Sequence, residues 1–226
     1  MQLTQPMTNI RKLDRKTRTK LLRIGGHLLA LYPLAALLLA YRTNGLGADP
    51  VREILLRTGE PALVFLILSL AITPLGILFG WKQLYPLRRI FGLYAFMYVA
   101  LHLATFLWLD YGLNLQFILD GVLEQNFALI GFVAFLLLVP LAVTSNRWSQ
   151  KKLGKKWSTL HKLVFLIIAL ALIHFWWLVK NVYYMPFFYT AVVLLLLTLR
   201  WTPVKQKVLH WQRNKRNRRK RTVKEL

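Results

Sequence analysis

Long apolar runs alternate along this chain with short polar and charged connectors. Six runs reach the length needed to cross a hydrocarbon core as a helix, about 17–25 residues. They are Leu21 to Tyr41, Ala62 to Phe79, Leu87 to Leu109, Phe127 to Thr144, Leu160 to Val179 and the shorter Pro186 to Leu199. Backbone groups at that depth must pair within their own segment, so each run is expected to be helical. Pro33 and Pro140 fall inside runs and are expected to bend them, while Thr73-Pro74 is expected to break the end of the second. The sixth run needs Tyr184 or Trp201 as interfacial help. The first has a basic leader, but it contains His27 and no small-residue cleavage site follows it. It therefore reads as a retained anchor, not a removed signal. The fold class that follows is an all-α integral membrane protein. A six-transmembrane-helix bundle over residues 21–201 is flanked by a basic arm, 1–20, and a basic tail, 202–226.

Composition sharpens this picture. Hydrophobic residues make up 56% of the 226, yet Lys and Arg number 31 against 8 acids. The basic residues fall almost wholly on alternate connectors. Seven lie in the arm up to Arg23, three at Lys82, Arg88 and Arg89, six from Arg147 to Lys162, and eleven from Arg200 onward, 27 of the 31. The other side holds only Arg42, Arg52, Arg57 and Lys180, with six of the eight acids. The positive-inside rule then puts both termini in the cytoplasm. The tail HWQRNKRNRRKRTVKEL accordingly reads as a topology determinant on anionic lipid headgroups, and no nucleic-acid fold accompanies it. Trp108, Trp176 and Trp177 near the outer ends, and Trp81, Trp157 and Trp201 near the inner ends, read as aromatic belts.

Candidate chemistry rests on histidine. The chain has no cysteine, which excludes disulfides, thiolate metal sites, cysteine-held iron–sulfur clusters and covalent haem attachment. Four of the five histidines, His27, His102, His161 and His174, lie in or at the ends of runs, where a polar ring is costly and points to function. His102 lies 14 residues beyond Arg88 and His174 lies 13 beyond His161, rises of about 21 and about 20 Å along two parallel helices. The pair is placed to grip one metal from opposite faces. His161 and His174 are expected on neighbouring faces at two depths, with room for two stacked cofactors. Carboxylates, the usual companions of ion relays, are missing from the six runs, which favours electrons over ions.

At these residues the chain resembles the MsrQ (YedZ) family. The blocks that carry the likeness are Gly45-Leu46-Gly47-Ala48-Asp49-Pro50-Val51, Thr73-Pro74, Leu87-Arg88-Arg89 with Gly92-Leu93, Leu101-His102-Leu103, and Leu153-Gly154-Lys155 with Trp157 and Leu160-His161. The likeness covers residues 20 to 200. It implies a ferric-reductase-like transmembrane domain, b-type haem, FMN and a periplasmic molybdopterin-dependent reductase as electron acceptor. The family's haem-ligating histidines carry over to His102, His161 and His174, and His27 matches a histidine of the first helix. In the wider ferric-reductase pattern two helices supply two histidines each. Here Arg88 or Arg89 stands where the third helix would place its inner one, so the outer site is the better supported.

The function this implies is a non-catalytic electron-transfer subunit of the bacterial inner membrane. It would carry one or two haems b and form a heterodimer with the periplasmic reductase, which repairs methionine sulfoxide in oxidised proteins. Quinol or a cytoplasmic flavin reductase would supply electrons, since no nucleotide-binding motif occurs in the chain. His27 is the expected partner of His161 across an inner haem. Arg88 and Arg89 have no lone pair for iron and are expected to meet haem propionates or lipid phosphates. The alternative is a small-solute or ion transporter with structural histidines.

Overall fold

The structure, a computed structural model, describes residues 14–179 and 184–201 together with isolated positions after 202. The arm before Asp14, Lys180 and most of the basic tail lie outside the described residues. Every regular element among the described residues is helical. The long helices are α1 (Arg15–Arg42), α2 (Pro50–Leu78), α3 (Tyr85–Thr105), α5 (Asn126–Val143), α8 (Val164–Leu178) and α9 (Tyr184–Arg200). The short ones are α4 (Leu115–Glu124), α6 (Arg147–Leu153) and α7 (Lys155–Leu160). A π-helical turn, Phe106–Asp110, extends α3, and a 3-10 turn, His161–Leu163, joins α7 to α8.

Five stretches are long and apolar enough to span a membrane: Lys16–Arg42, Pro50–Leu78, Lys82–Asp110, Asn126–Val143 and Lys155–Leu178. The chain is a multi-pass membrane protein. Many large apolar side chains on these helices point outward, Leu28, Leu39, Leu136 and Leu166 among them. That surface suits lipid and would be costly in water. The sixth run is the 17-residue α9, about 26 Å long at 1.5 Å per residue.

Two antiparallel hairpins, α2–α3 and α5–α8, pack on one another, with α1 laid against α3 and α9 against α2 and α8. Their shared core includes Phe65, Leu70, Tyr98, Leu138, Ile168 and Leu196. Tyr98 is wholly buried at its centre and stacks on Phe65 at 5.6 Å. Its hydroxyl enters α1 beside Pro33, donating to the Ala30 carbonyl (2.7 Å) and accepting from the Leu34 N–H (3.0 Å). Those two groups are the ends of one i→i−4 link, so the tyrosine ties α3 into the bend of α1.

The second helix begins twelve residues before the expected Ala62 and ends within one residue of the expected Phe79. It begins at Pro50, capped by Asp49, whose Oδ1 accepts from the Arg52 N–H at 3.1 Å. The longer helix therefore contains Glu53 and Glu60, and Tyr189 of α9 donates to Glu60 Oε1 at 2.8 Å. Nor does Thr73-Pro74 end it, since α2 continues to Leu78. Pro74 has no N–H for the Leu70 carbonyl, and Arg200 supplies one from another helix, Nη2 to Leu70 O at 2.6 Å. The proline's missing donor is replaced, so the helix need not stop. The amphipathic helix α4 was not expected either. Capped by Asn114, which accepts from the Gln116 and Phe117 N–H groups, it leaves Leu115, Phe117, Leu119 and Leu123 exposed.

Candidate functional site

His102 and His174 stand side by side, their ring centres 6.3 Å apart and their planes at 87°. Each ring is held from behind. His102 Nδ1 lies 3.0 Å from the Leu55 carbonyl on α2, and His174 Nδ1 lies 2.7 Å from the Phe127 carbonyl on α5. A carbonyl can only accept, so each Nδ1 carries the proton and each Nε2 keeps its lone pair. Neither Nε2 has a hydrogen-bond partner among the described residues. A backbone carbonyl on one ring nitrogen is the usual support for a histidine whose other nitrogen binds a metal.

Glycine makes this close seating possible. A Cβ on Gly59 would fall 3.1 Å from His102 Nδ1, and one on Gly131 would fall 2.8 Å from His174 Nδ1. Both glycines lie one turn after the accepting carbonyl, so each ring rests on the bare face of a helix turn. The two arrangements repeat at a fixed offset. Leu55, Gly59 and His102 become Phe127, Gly131 and His174, each 72 positions later, with acceptor and histidine 47 apart in both. The offset also carries Arg89 onto His161. The two hairpins are thus built alike around the histidine pair, and α3 holds Arg89 where the 3-10 turn before α8 holds His161.

The inner residues are arranged differently. His161 stacks on Trp157 at 4.0 Å, and its Nε2 lies 3.1 Å from Thr144 Oγ1. The single Thr144 hydroxyl proton goes to the Pro140 carbonyl at 2.6 Å, so the hydroxyl accepts from His161 Nε2–H. Trp157 Nε1 donates to the Thr144 carbonyl (3.0 Å), which locks the imidazole, indole and threonine together. Trp157 is therefore packed into the bundle, not spread on its rim. Thirteen residues on a straight helix would turn a side chain by about 220°, so neighbouring faces do not follow from that spacing. Both rings nonetheless address α5, His161 near its C-terminus and His174 near its N-terminus, across the 3-10 turn. His27 lies apart from His161. Its Nδ1 is 3.0 Å from the Tyr94 hydroxyl of α3, with the two rings edge to face. Arg88 and Arg89 are exposed at the start of α3, and the Arg88 carbonyl accepts from Ser69 Oγ of α2 at 2.8 Å.

Among the described residues, no three of His, Cys, Asp and Glu converge as a metal site. What the bundle offers is an adjacent pair of neutral imidazoles, each with a free Nε2 among the described residues, which suits an ion whose remaining ligands come from a planar macrocycle. A metal–imidazole bond is about 2 Å and the nitrogen lies about 1 Å from its ring centre, so a shared ion holds two ring centres roughly 6 Å apart. The observed 6.3 Å fits. Sequence reasoning named both histidines but missed Gly59, Gly131, Leu55, Phe127, Thr144 and Arg200. The Gly-to-His spacing of 43, repeated in both hairpins, was the readable signal for the two glycines.

Comparison with known proteins agrees with this geometry. Residues 58–172 match the family model for the ferric reductase like transmembrane component. The chain is 41% identical over 193 residues to the protein-methionine-sulfoxide reductase heme-binding subunit MsrQ of Herminiimonas arsenicoxydans, covering 83% of this chain and 85% of that one. It is 45% identical over 155 residues to the subunit of the same name from Xanthomonas campestris pv. campestris strain 8004, covering 69% and 71%. The corresponding Bordetella pertussis protein is 43% identical over 169 residues, covering 74% and 82%. No solved structure matches the chain. With such identity spread across both hairpins, the chain belongs to the MsrQ family of ferric-reductase-like membrane proteins.

Proposed function

We propose that this chain is the haem-binding, electron-carrying membrane subunit of a methionine sulfoxide reductase system, with one b-type haem held between His102 and His174. The observation that carries the reading is the matched pair of imidazoles, each fixed by a backbone carbonyl at Nδ1 and open at Nε2. A haem bound there would supply a one-electron couple in a low-dielectric setting. The protein's own part is to fix both rings, exclude water and set the distance to either membrane face. Gly59 and Gly131 allow the rings to seat, and the apolar core around Tyr98 and Ile168 keeps water out.

The charge pattern supports a six-helix topology in the bacterial inner membrane, with α9 as the sixth span and both termini cytoplasmic. His102 follows 17 residues of α3 and His174 follows ten residues of α8 from their inner ends, so the pair belongs to the outer half. That placement suits delivery to a periplasmic partner, the molybdopterin-dependent reductase implied by the family resemblance. His161, with Trp157 and Thr144 around it, is the candidate ligand of a second haem nearer the cytoplasmic donor, either quinol or a flavin reductase. FMN rests on resemblance alone, and no residue is assigned to it. The test is the absorbance of the purified protein. A b-type spectrum that sharpens on reduction is expected, with one or two haems per chain by pyridine haemochrome. A colourless protein would overturn the electron-transfer reading and return the chain to the transporters.

A further inference from the structure

Among the described residues Arg200 has no acidic partner. It closes α9 on the side of the bundle that holds Arg88 and His161, and its guanidinium lies over the Phe165 ring at 5.4 Å. One nitrogen, Nη2, is committed to the Leu70 carbonyl. Another, Nε, is fully enclosed and bonds to nothing among the described residues. Arg88, from α3, is pinned at the same turn of α2, since its carbonyl accepts from Ser69 Oγ at 2.8 Å, one residue before Leu70. Arg88 and Arg200 are thus anchored at adjacent residues of α2, and the Phe165 ring under Arg200 lies one turn beyond His161. The one ion pair among the described residues is Arg57–Glu53, on α2 far from this cluster.

Holding two guanidinium groups near one another at the span ends without a counter-charge is costly, the more so as Arg200 is half-buried. An enclosed N–H left unbonded adds to that cost. Both costs vanish if an oxyanion sits between the arginines, since a guanidinium fork suits carboxylate and phosphate oxygens. We infer that Arg200 and Arg88 form a binding site for the oxyanion of a membrane-resident ligand beside His161. The shared chemistry is a carboxylate or phosphate carried by an otherwise apolar molecule. Its two sources are a porphyrin propionate and the headgroup of a tightly held phospholipid. The propionate source rests on the haem reading given above, and the phospholipid source does not.

The experiment compares wild type with Arg200→Gln, Arg200→Lys and Arg88→Gln, each purified in detergent and washed free of loose lipid. Haem per polypeptide and bound phosphorus per polypeptide are both counted. If the oxyanion is a propionate, Arg200→Gln and Arg88→Gln lower the occupancy of the haem species that depends on His161, by less than the loss of about half the haem expected for His161→Ala. The species that depends on His102 and His174 stays. If it is a headgroup, haem is unchanged and about one phosphorus per chain is lost. Arg200→Lys keeps the charge without the fork and is expected to fall between. Because Arg200 also serves the Leu70 carbonyl, its glutamine variant could unfold locally. Arg88→Gln leaves that bond alone and decides the matter. Unchanged haem and unchanged phosphorus in Arg88→Gln would overturn the site. A wild type without haem would overturn the haem reading instead, and the phosphorus count would still judge the arginines.

Discussion

His174 rests its imidazole directly on Gly131, so close that a methyl group there would fall 2.8 Å from Nδ1 and 2.9 Å from Cε1. The obstructed atoms belong to a rigid ring held by a 2.7 Å bond to Phe127, so the ring cannot swing aside without losing its support. Gly131→Ala should therefore displace His174 and lower haem occupancy severalfold. Gly59→Ala, with 3.1 Å of clearance, should do the same more mildly. Alanine favours a helix interior over glycine by about 1 kcal/mol, so helix content should not fall in either variant. Pyridine-haemochrome counts beside circular dichroism separate the two effects, and full haem in Gly131→Ala would contradict the seating.

His102→Ala and His174→Ala should remove one and the same spectral species, because a bis-imidazole site needs both ligands for its low-spin spectrum. Insertion into the membrane should survive, since neither ring supplies a bond that closes the core around Tyr98. Reduced-minus-oxidised spectra of the two variants are expected to superimpose. Two different residual spectra would mean that the histidines serve separate cofactors.

Much of this was legible in the sequence, because the bilayer imposes length and apolarity on every span. The runs from Leu87 and Phe127 were located within a few residues for that reason. The proximity of His102 and His174 was legible too, since a fixed rise per residue sets them level on two helices that run the same way. What escaped depended on contacts between distant helices. The continuation of α2 past Pro74 needs the side chain of Arg200, 126 positions later, and no local rule points to it. Glu60 falls outside the apolar run that starts at Ala62, whereas the helix extends through Pro61 back to Pro50. The partners of His27 and His161 were equally hidden. Tyr94 and Thr144 are ordinary residues until the fold sets them against a ring.

Tyr98→Phe should loosen α1 without touching the histidine pair. The substitution keeps the stack on Phe65 but removes the hydroxyl that serves Ala30 O and Leu34 N–H. Losing a buried group that satisfies two backbone partners costs about 1–3 kcal/mol. Reversible unfolding in mixed micelles should show a loss of that size with the haem spectrum of the folded protein unchanged. No loss would mean that the helix link closes on itself without the tyrosine.

A reporter active only in the periplasm should be silent when fused after Leu226 and active when inserted in the Gly45–Asp49 turn. The reason is the concentration of 27 of the 31 basic residues on one side, since orientation follows Lys and Arg near the span ends. An active fusion at Leu226 would reverse the path of electrons or remove α9 from the count of spans.

The inner histidine gives the sharpest test of haem number. His161 is bound through Nε2 to Thr144 and stacked on Trp157, whereas His102 and His174 are bound through Nδ1. To serve iron through Nε2, His161 must release Thr144 Oγ1, and the Thr144 hydroxyl keeps its bond to Pro140 in either case. A second haem is therefore expected to be the more weakly held of the two. His161→Ala should lower haem per chain by about half and spare the species lost with His102, as one of two sites requires. Thr144→Val removes the competing partner and should strengthen the same species, an outcome that a merely structural His161 would not produce. His27→Ala is expected to resemble His161→Ala more closely than Arg88→Ala does, because a neutral imidazole can ligate iron and a guanidinium cannot. Its present bond to Tyr94 leaves Nε2 open for that role. Haem per polypeptide, measured across these four variants, decides between one site and two. Full retention in His161→Ala would leave His102 and His174 as the sole haem site of the chain.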